Sequence, residues 1–184
     1  MRQMPVAPDS LQVSEFIVRK YEPSDAEALV IAVTESCEHL RPWMPWIKFE
    51  PQSVTQREEL IKTWNEAWEE RTDFVVGIFL DDRVVGGTGI HLRGPVNTVE
   101  IGYWVHTDFT GRGIASQVSD ALTLEAFQLW SEIDTVVIVH DESNIASGKV
   151  PARLGFEHVF TGQRKPEAPG ESGVMYRWEK KRAK

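Results

Sequence analysis

The segment Phe109-Thr110-Gly111-Arg112-Gly113-Ile114-Ala115 stands between a run that reads as a strand and one that reads as a helix. Glycines let a backbone turn tightly and come close to an anion. A helix starting at about Ile114 adds unpaired N–H groups and the positive end of its dipole. Together these can cradle a phosphate, although a lone Gly-x-Gly is equally the mark of a plain tight turn. Two better-known phosphate loops are excluded: no Gly-Lys-Ser/Thr follows, and the third glycine of the dinucleotide fingerprint is missing.

Upstream lies Val99-Glu100-Ile101-Gly102-Tyr103-Trp104-Val105. Strand alternation puts Glu100, Gly102 and Trp104 on one face and Val99, Ile101 and Tyr103 on the other. A glutamate inside an otherwise apolar strand is costly to bury unless partnered. Partly buried, with a raised pKa, it can act as a general base; a solvent-facing edge residue is the alternative. Downstream, Asn144 and Ser147 are three apart and share a face near the start of a helix. Asn144 can cap that helix. Pro151 falls inside it and cannot donate to the Ser147 carbonyl four residues back, so the helix either kinks there or opens at Gly148.

Other reactive types carry less. His39, His91, His106, His140 and His158 show no metal-ligand spacing, so no metal is expected. His106 shares the Glu100 face by alternation, yet a structural role suits it better. Cys37 has no neighbour that would activate a thiol. Trp43 and Trp46, in a loop broken by Pro42 and Pro45, could hold an amine by cation–π contact. Trp64 and Trp68 fall at helical spacing and suit a core.

These residues belong to 184 residues, a length that suits one domain, residues 1–184. Net charge −8 argues against nucleic acid, whose phosphates demand clustered Lys and Arg, and permits a cationic amine. With one cysteine no internal disulfide can form, and neither a signal peptide nor a membrane span is legible, so a cytoplasmic place is expected. Homodimerisation is compatible with all of this. Residues 1–14 read as loose and 179–184 as a basic solvated tail.

The elements that must position the chemistry follow from periodicity. A strand at Phe16–Arg19 precedes a helix capped by Ser24 with Glu27, running to about Cys37. Ser53 and Gln56 repeat the capping box before a second helix. Strands at 74–80, 84–92 and 99–105 form a meander. Then come a helix at 114–130, a strand at 135–139, a helix at 143–154, and strands at 156–160 and 174–178. The order predicts an α/β (α+β) fold, a mixed, mostly antiparallel sheet with helices on both faces.

Four segments in this order, Glu100 to Val105, Gly111 to Ala115, Asn144-Ile145-Ala146-Ser147 and Leu154-Gly155-Phe156, resemble the GNAT superfamily of N-acetyltransferases. The stretch Leu40-Arg41-Pro42-Trp43-Met44-Pro45-Trp46 is similar to its RimJ/RimL-like branch. The resemblance implies a splayed parallel strand pair and acetyl-coenzyme A as co-substrate. Ile101, Gly102, Thr110, Gly111, Arg112, Gly113, Ile114, Ala115 and Asn144 would bind it. Where the family's pyrophosphate loop opens on Gln or Arg, Thr110 brings no charge, and Arg112 would supply it. Glu100 would be the general base and Ser147 the general acid, with Trp43, Trp46 and Trp104 walling the acceptor pocket. The acceptor would be a primary amine, either a protein N-terminus or a small amine such as an antibiotic or polyamine. A non-catalytic acyl-coenzyme A-binding module is the rival reading.

Overall fold

A computed structural model describes residues 6–183. The chain opens with a hairpin, β1 (Ser10–Val13) and β2 (Phe16–Lys20). The loose segment expected over residues 1–14, of which 1–5 lie outside the described residues, contains this first strand, whose four residues are too few to display a period. Ser14 turns the chain at φ 55°, and Val13 and Phe16 are both buried. Two helices follow, α1 (Ala26–Leu40) and α2 (Val54–Glu69), then a meander of β3 (Asp73–Leu80), β4 (Arg83–His91) and β5 (Thr98–Val105). The second half is α3 (Ile114–Leu129), β6 (Thr135–Asp141), α4 (Ile145–Arg153), β7 (Glu157–Gln163) and β8 (Val174–Lys181).

The helix starts show which capping signals prevail. Ser53 accepts from the Gln56 N–H at 3.2 Å while Gln56 accepts from the Ser53 N–H at 2.8 Å, the expected capping box. At α1 the expected Ser24 cap is replaced by a short 3-10 turn, Pro23–Asp25. There the Glu22 N–H donates to Asp25 at 2.7 Å, and Arg19 grips the same carboxylate with two bonds. A charge-assisted fork holds the carboxylate in place, and the Ser24 hydroxyl has no comparable partner.

The eight strands form one sheet in the order β1-β2-β3-β4-β5-β6-β8-β7. Every neighbouring pair is antiparallel except β5 and β6. That parallel pair is joined only at Thr98–Thr135, Val99–Val136 and Glu100–Val137. Past Glu100 the two strands part, so the middle of the sheet is split at one end. One face of the sheet packs on α3, with Val99, Ile101, Val136 and Ile138 meeting Ile114, Val118 and Trp130. On the other face, α1 and α2 cover Phe79 and Val84 with Leu29, Val33 and Ile61.

As far as Arg182 the basic end is structure rather than the solvated tail expected over 179–184, of which Lys184 lies outside the described residues. Lys181 belongs to β8. The Arg182 guanidinium donates to the carbonyls of Phe127, Trp130 and Ile133 at and beyond the end of α3. A guanidinium fork suits carbonyls that a helix end leaves unpaired. Residues 164–173 are ordered in the same way, by one buried carboxylate. Asp141 accepts from the N–H groups of Ser143, Ser172 and Gly173 and from the Ser172 hydroxyl, at 2.9–3.0 Å. Burial pushes its pKa up, and these donors more than reverse that, so it lies below the ordinary aspartate value. The Gly170 N–H donates to the Pro42 carbonyl at 2.9 Å, which brings this segment against the aromatic loop after α1. Among the described residues, no helix is long and apolar enough to cross a membrane.

Candidate functional site

The glycine loop precedes α3. Gly111 and Gly113 sit at φ +76° and +75°, the left-handed region that favours glycine. Space beside Gly111 is open, since an added Cβ would meet nothing within 4 Å. The first helical bond of α3 comes from the Gln117 N–H to the Gly113 carbonyl, so the N–H groups of the first turn have no partner within the helix. The side chains expected to reach for phosphate serve the loop instead. Thr110 donates its hydroxyl to the Thr107 carbonyl at 3.0 Å. Arg112 donates to the Asp108 carbonyl at 3.1 Å and lies over the Phe109 ring. Below them His106 is fully buried, with Nε2 2.8 Å from Glu35 and Nδ1 accepting from the Asp108 N–H. Since Nδ1 accepts, Nε2 carries the hydrogen and donates to Glu35. His106 is thus structural, and Thr107, whose N–H meets the Ser36 hydroxyl, ties the loop to α1 a second time. Two left-handed glycines, an open side and free N–H groups fit a pyrophosphate.

From this loop the chain's other site residues are reached through the split in the sheet. The Thr88 hydroxyl donates to the Gly102 carbonyl at 2.7 Å from the β4 side. A strand residue's N–H and C=O point to the same edge and alternate along the strand. The amides of Ile101 and Tyr103 therefore face the gap, while those of Gly102 face β4. Across the gap stands α4, capped by Asn144, whose side chain accepts from the Ser147 N–H at 3.1 Å. Helix α4 runs on through Pro151. Tyr103 bridges the gap. Its phenol donates to the Ser147 carbonyl at 3.0 Å, and its oxygen is 3.1 Å from the Ser147 hydroxyl. Burial pushes the Tyr103 pKa up to about 12, against the smaller opposing pull of the Ser147 hydroxyl.

A cavity of about 550 Å³ opens on the α1 and α2 side of the sheet and reaches Gly102, Tyr103 and Trp104. Trp46 and Trp104 meet edge to face on its wall, with centroids 6.1 Å apart. Trp43 is not among the lining residues. Trp64 is: it packs on the core, as its helical spacing suggested, with its ring 5.4 Å from that of Tyr21, and it also lines the cavity. Strand β4 makes room with glycines. The Trp104 ring covers Gly87, where a Cβ would stand 2.3 Å from the indole nitrogen. The His91 ring covers Gly89, and a Cβ added at Gly102 would stand 3.7 Å from its Nε2. Asp73 holds His91 through Nδ1 at 2.6 Å, which leaves Nε2 on the cavity side. Neither residue carried a recognised motif. A signal was nonetheless present, namely glycines spaced by two opposite a strand bearing Trp104 and Gly102.

Glu100 is the register partner of His91 and the last β5 residue paired to β6. It points to the face of Gly102 and Trp104 but is engaged by Arg93 at 2.8 Å. Its side chain is 19% exposed and is not among the residues that line the cavity, although its partner Arg93 is. The arrangement thus brings Glu100, His91, Gly102 and Trp104 to one side of the split and Ser147 and Asn144 to the other. Tyr103 links the two sides.

Residues 15–157 match the model of the acetyltransferase (GNAT) domain. A relative in Bacillus subtilis (strain 168), "Putative ribosomal N-acetyltransferase YdaF", is 31% identical over 147 residues, covering 79% of this chain and 80% of the relative. Two solved structures share the fold. The microcin C7 self-immunity acetyltransferase MccE, in complex with acetyl-CoA and AMP, superposes with a TM-score of 0.86 at 20% identity, covering 96% of this chain and 98% of that one. RimL, a ribosomal L7/L12 alpha-N-protein acetyltransferase in complex with coenzyme A, gives 0.84 at 21% identity, covering 94% and 97%.

Proposed function

The chain belongs to the GNAT family of acetyltransferases and is an acetyl-coenzyme A-dependent N-acetyltransferase, and from that premise we propose that it acetylates the N-terminal amine of a protein. The observation that carries this reading is the cavity. It is wide, walled by Trp46, Trp64 and Trp104, and reaches the split in the sheet beside Gly102. Such a cavity admits the first residue of a chain while the rest stays outside. The relatives named for ribosomal proteins support the same acceptor class. The net charge of −8 suits basic partners, and a single thiol, Cys37, suits the cytoplasm.

Acetyl-coenzyme A is the acyl donor. The residues proposed to hold its pyrophosphate are Thr110, Gly111, Arg112, Gly113, Ile114 and Ala115, chiefly through backbone N–H groups at the start of α3. The Ile101 amide, on the gap edge, would polarise the thioester carbonyl, with Gly102 leaving room for it. Glu100 would take the amine's proton through water as the nitrogen lone pair forms the new C–N bond. The C–S bond breaks with its electron pair on sulfur, and Ser147 presents its hydroxyl to that sulfur. Asn144 keeps α4 capped so that Ser147 stays in place.

One observation favours a second reading of the base. Glu100 is spent on Arg93, whereas His91 lies on the cavity wall with Nε2 free and its ring held over Gly102 by Asp73. An imidazole so placed could take the proton directly.

The test is release of free thiol from acetyl-coenzyme A on mixing with N-terminal peptides or with small amines. Faster release with peptides is expected. Release only with polyamines or aminoglycosides would overturn the protein acceptor, and none with any amine would favour the non-catalytic module.

A further inference from the structure

We infer that Tyr103 is a positioning residue for Ser147, and that Pro151 makes this possible by leaving the Ser147 carbonyl free. This rests on the acetyl-transfer reading above. In an uninterrupted helix the N–H of residue 151 would bond the carbonyl of residue 147. Pro151 has no N–H, yet it sits inside α4 and is buried. Ser147 is half-buried, and a carbonyl withdrawn from water without a partner carries a cost. The Tyr103 phenol supplies the partner, from the neighbouring strand and across the split, at 3.0 Å. The same phenol oxygen is 3.1 Å from the Ser147 hydroxyl oxygen. Its hydrogen can therefore be shared between the two Ser147 oxygens, so the Ser147 hydrogen is free to turn toward sulfur when negative charge develops there.

No proton moves between the two hydroxyls. With the phenol held up to about 12, tyrosinate is a poor product of any transfer to a thiolate, whose ordinary thiol pKa is about 8.5. Ser147 acts as a hydrogen-bond donor to the departing thiolate, which leaves with its electron pair and takes its proton from water. Tyr103 keeps the hydroxyl aimed.

Both substitutions are tested in the full chain, with whichever amine the wild type accepts. Tyr103→Phe should lower kcat about tenfold, toward the low end of what a donor to the leaving group contributes, and leave the KM for acetyl-coenzyme A within about twofold. Combined with Ser147→Ala it should cost nothing further, because Tyr103 works through Ser147. Pro151→Ala gives α4 back its N–H, which competes with Tyr103 for the carbonyl. The protein should then melt at a higher temperature and turn over several-fold more slowly. A readout independent of turnover is the ultraviolet titration of coenzyme A bound to the protein. Its thiol should ionise at a lower pH on the wild type than on Tyr103→Phe. Additive effects of Tyr103→Phe and Ser147→Ala, an unchanged kcat in Pro151→Ala, or an unchanged thiol titration would each overturn the inference. If the wild type transfers no acetyl group, the functional reading fails, while the melting and titration experiments still decide the role of Tyr103.

Discussion

The glycine loop and the cavity proposed for the acceptor are two ways of building a binding surface. The loop is made of backbone: two left-handed glycines and the unpaired N–H groups of one helix, all within residues 110–117. Its side chains, Thr110, Arg112 and His106, turn inward and hold the loop to itself and to α1. The cavity is made of side chains gathered from across the first half of the chain, from α1, the turn at Pro45–Phe49, α2, β3, β4 and β5. A backbone surface recognises a group common to many ligands, and it is insensitive to most side-chain changes nearby. A side-chain surface recognises one ligand and changes with each substitution. On the proposed reading, the chemistry belongs where the two meet, at the split between β5 and β6.

If this division is right, substitutions should sort by region. At the meeting point Glu100→Gln should lower kcat by about 10²–10⁴-fold, the range for loss of a general base, with coenzyme A affinity nearly unchanged by calorimetry. The same variant with an intact pH–rate profile, and a profile altered instead in His91→Gln, would move the base to His91. Ser147→Ala should cost about ten- to a hundredfold in kcat, and less with an acyl donor whose thiol is more acidic than coenzyme A. In the loop, Gly113→Val forces a branched side chain into a left-handed backbone beside the phosphate position. It should weaken coenzyme A binding about tenfold or more, read by calorimetry on the folded variant, whereas Arg112→Ala should do much less because that guanidinium serves the loop. In the cavity, Trp46→Ala should raise KM for the amine about tenfold without moving the KM for acetyl-coenzyme A, the size of one lost aromatic wall. A loop variant that altered amine choice, or a cavity variant that altered coenzyme A affinity, would break the comparison.

The smallest effect is on stability. Asp141→Asn should cost about 2–3 kcal/mol, since a buried carboxylate with four donors is replaced by an amide that cannot accept from all of them. Because the folded-state pKa of Asp141 is lowered, its contribution is complete above the ordinary aspartate range and is lost as pH falls through the lowered value. The melting temperatures of wild type and variant should therefore converge in acid.

The same division explains what the sequence made legible. Periodicity located all four helices and seven of the strands, because an amphipathic face repeats often enough to be seen. It missed β1, whose four residues show no repeat. It also read residues 179–184 as solvated, because charge alone does not reveal that Arg182 has the carbonyls of Phe127, Trp130 and Ile133 within reach. The glycine loop was legible because its left-handed turns lie in consecutive residues, Gly111 to Gly113. The cavity was not, since Asp73 and His91 become a pair only when β3 and β4 align in register, and helical spacing shows that Trp64 packs on the core but not that it also walls a cavity. Pro151 was visible as a defect in the helix, and its partner Tyr103 was not, because alternation could place the phenol on a face but not across a gap.

The placing of β8 between β6 and β7 governs how the second half of the molecule can assemble. Strands β7 and β8 are neighbours in sequence and in register, so they can form a hairpin by themselves at modest loop-closure cost. Strand β7 touches the sheet only through β8. Strand β7 therefore cannot join the sheet before β8, either within a hairpin that offers the β8 edge to β6 or after β8 has docked, and the sheet cannot grow strand by strand in chain order. Docking is completed when Asp141, at the end of β6, receives the N–H groups of Ser172 and Gly173 just before β8 begins. Amide exchange at those two residues should thus report the docked hairpin, and should be lost together in any state where half the sheet has formed without it.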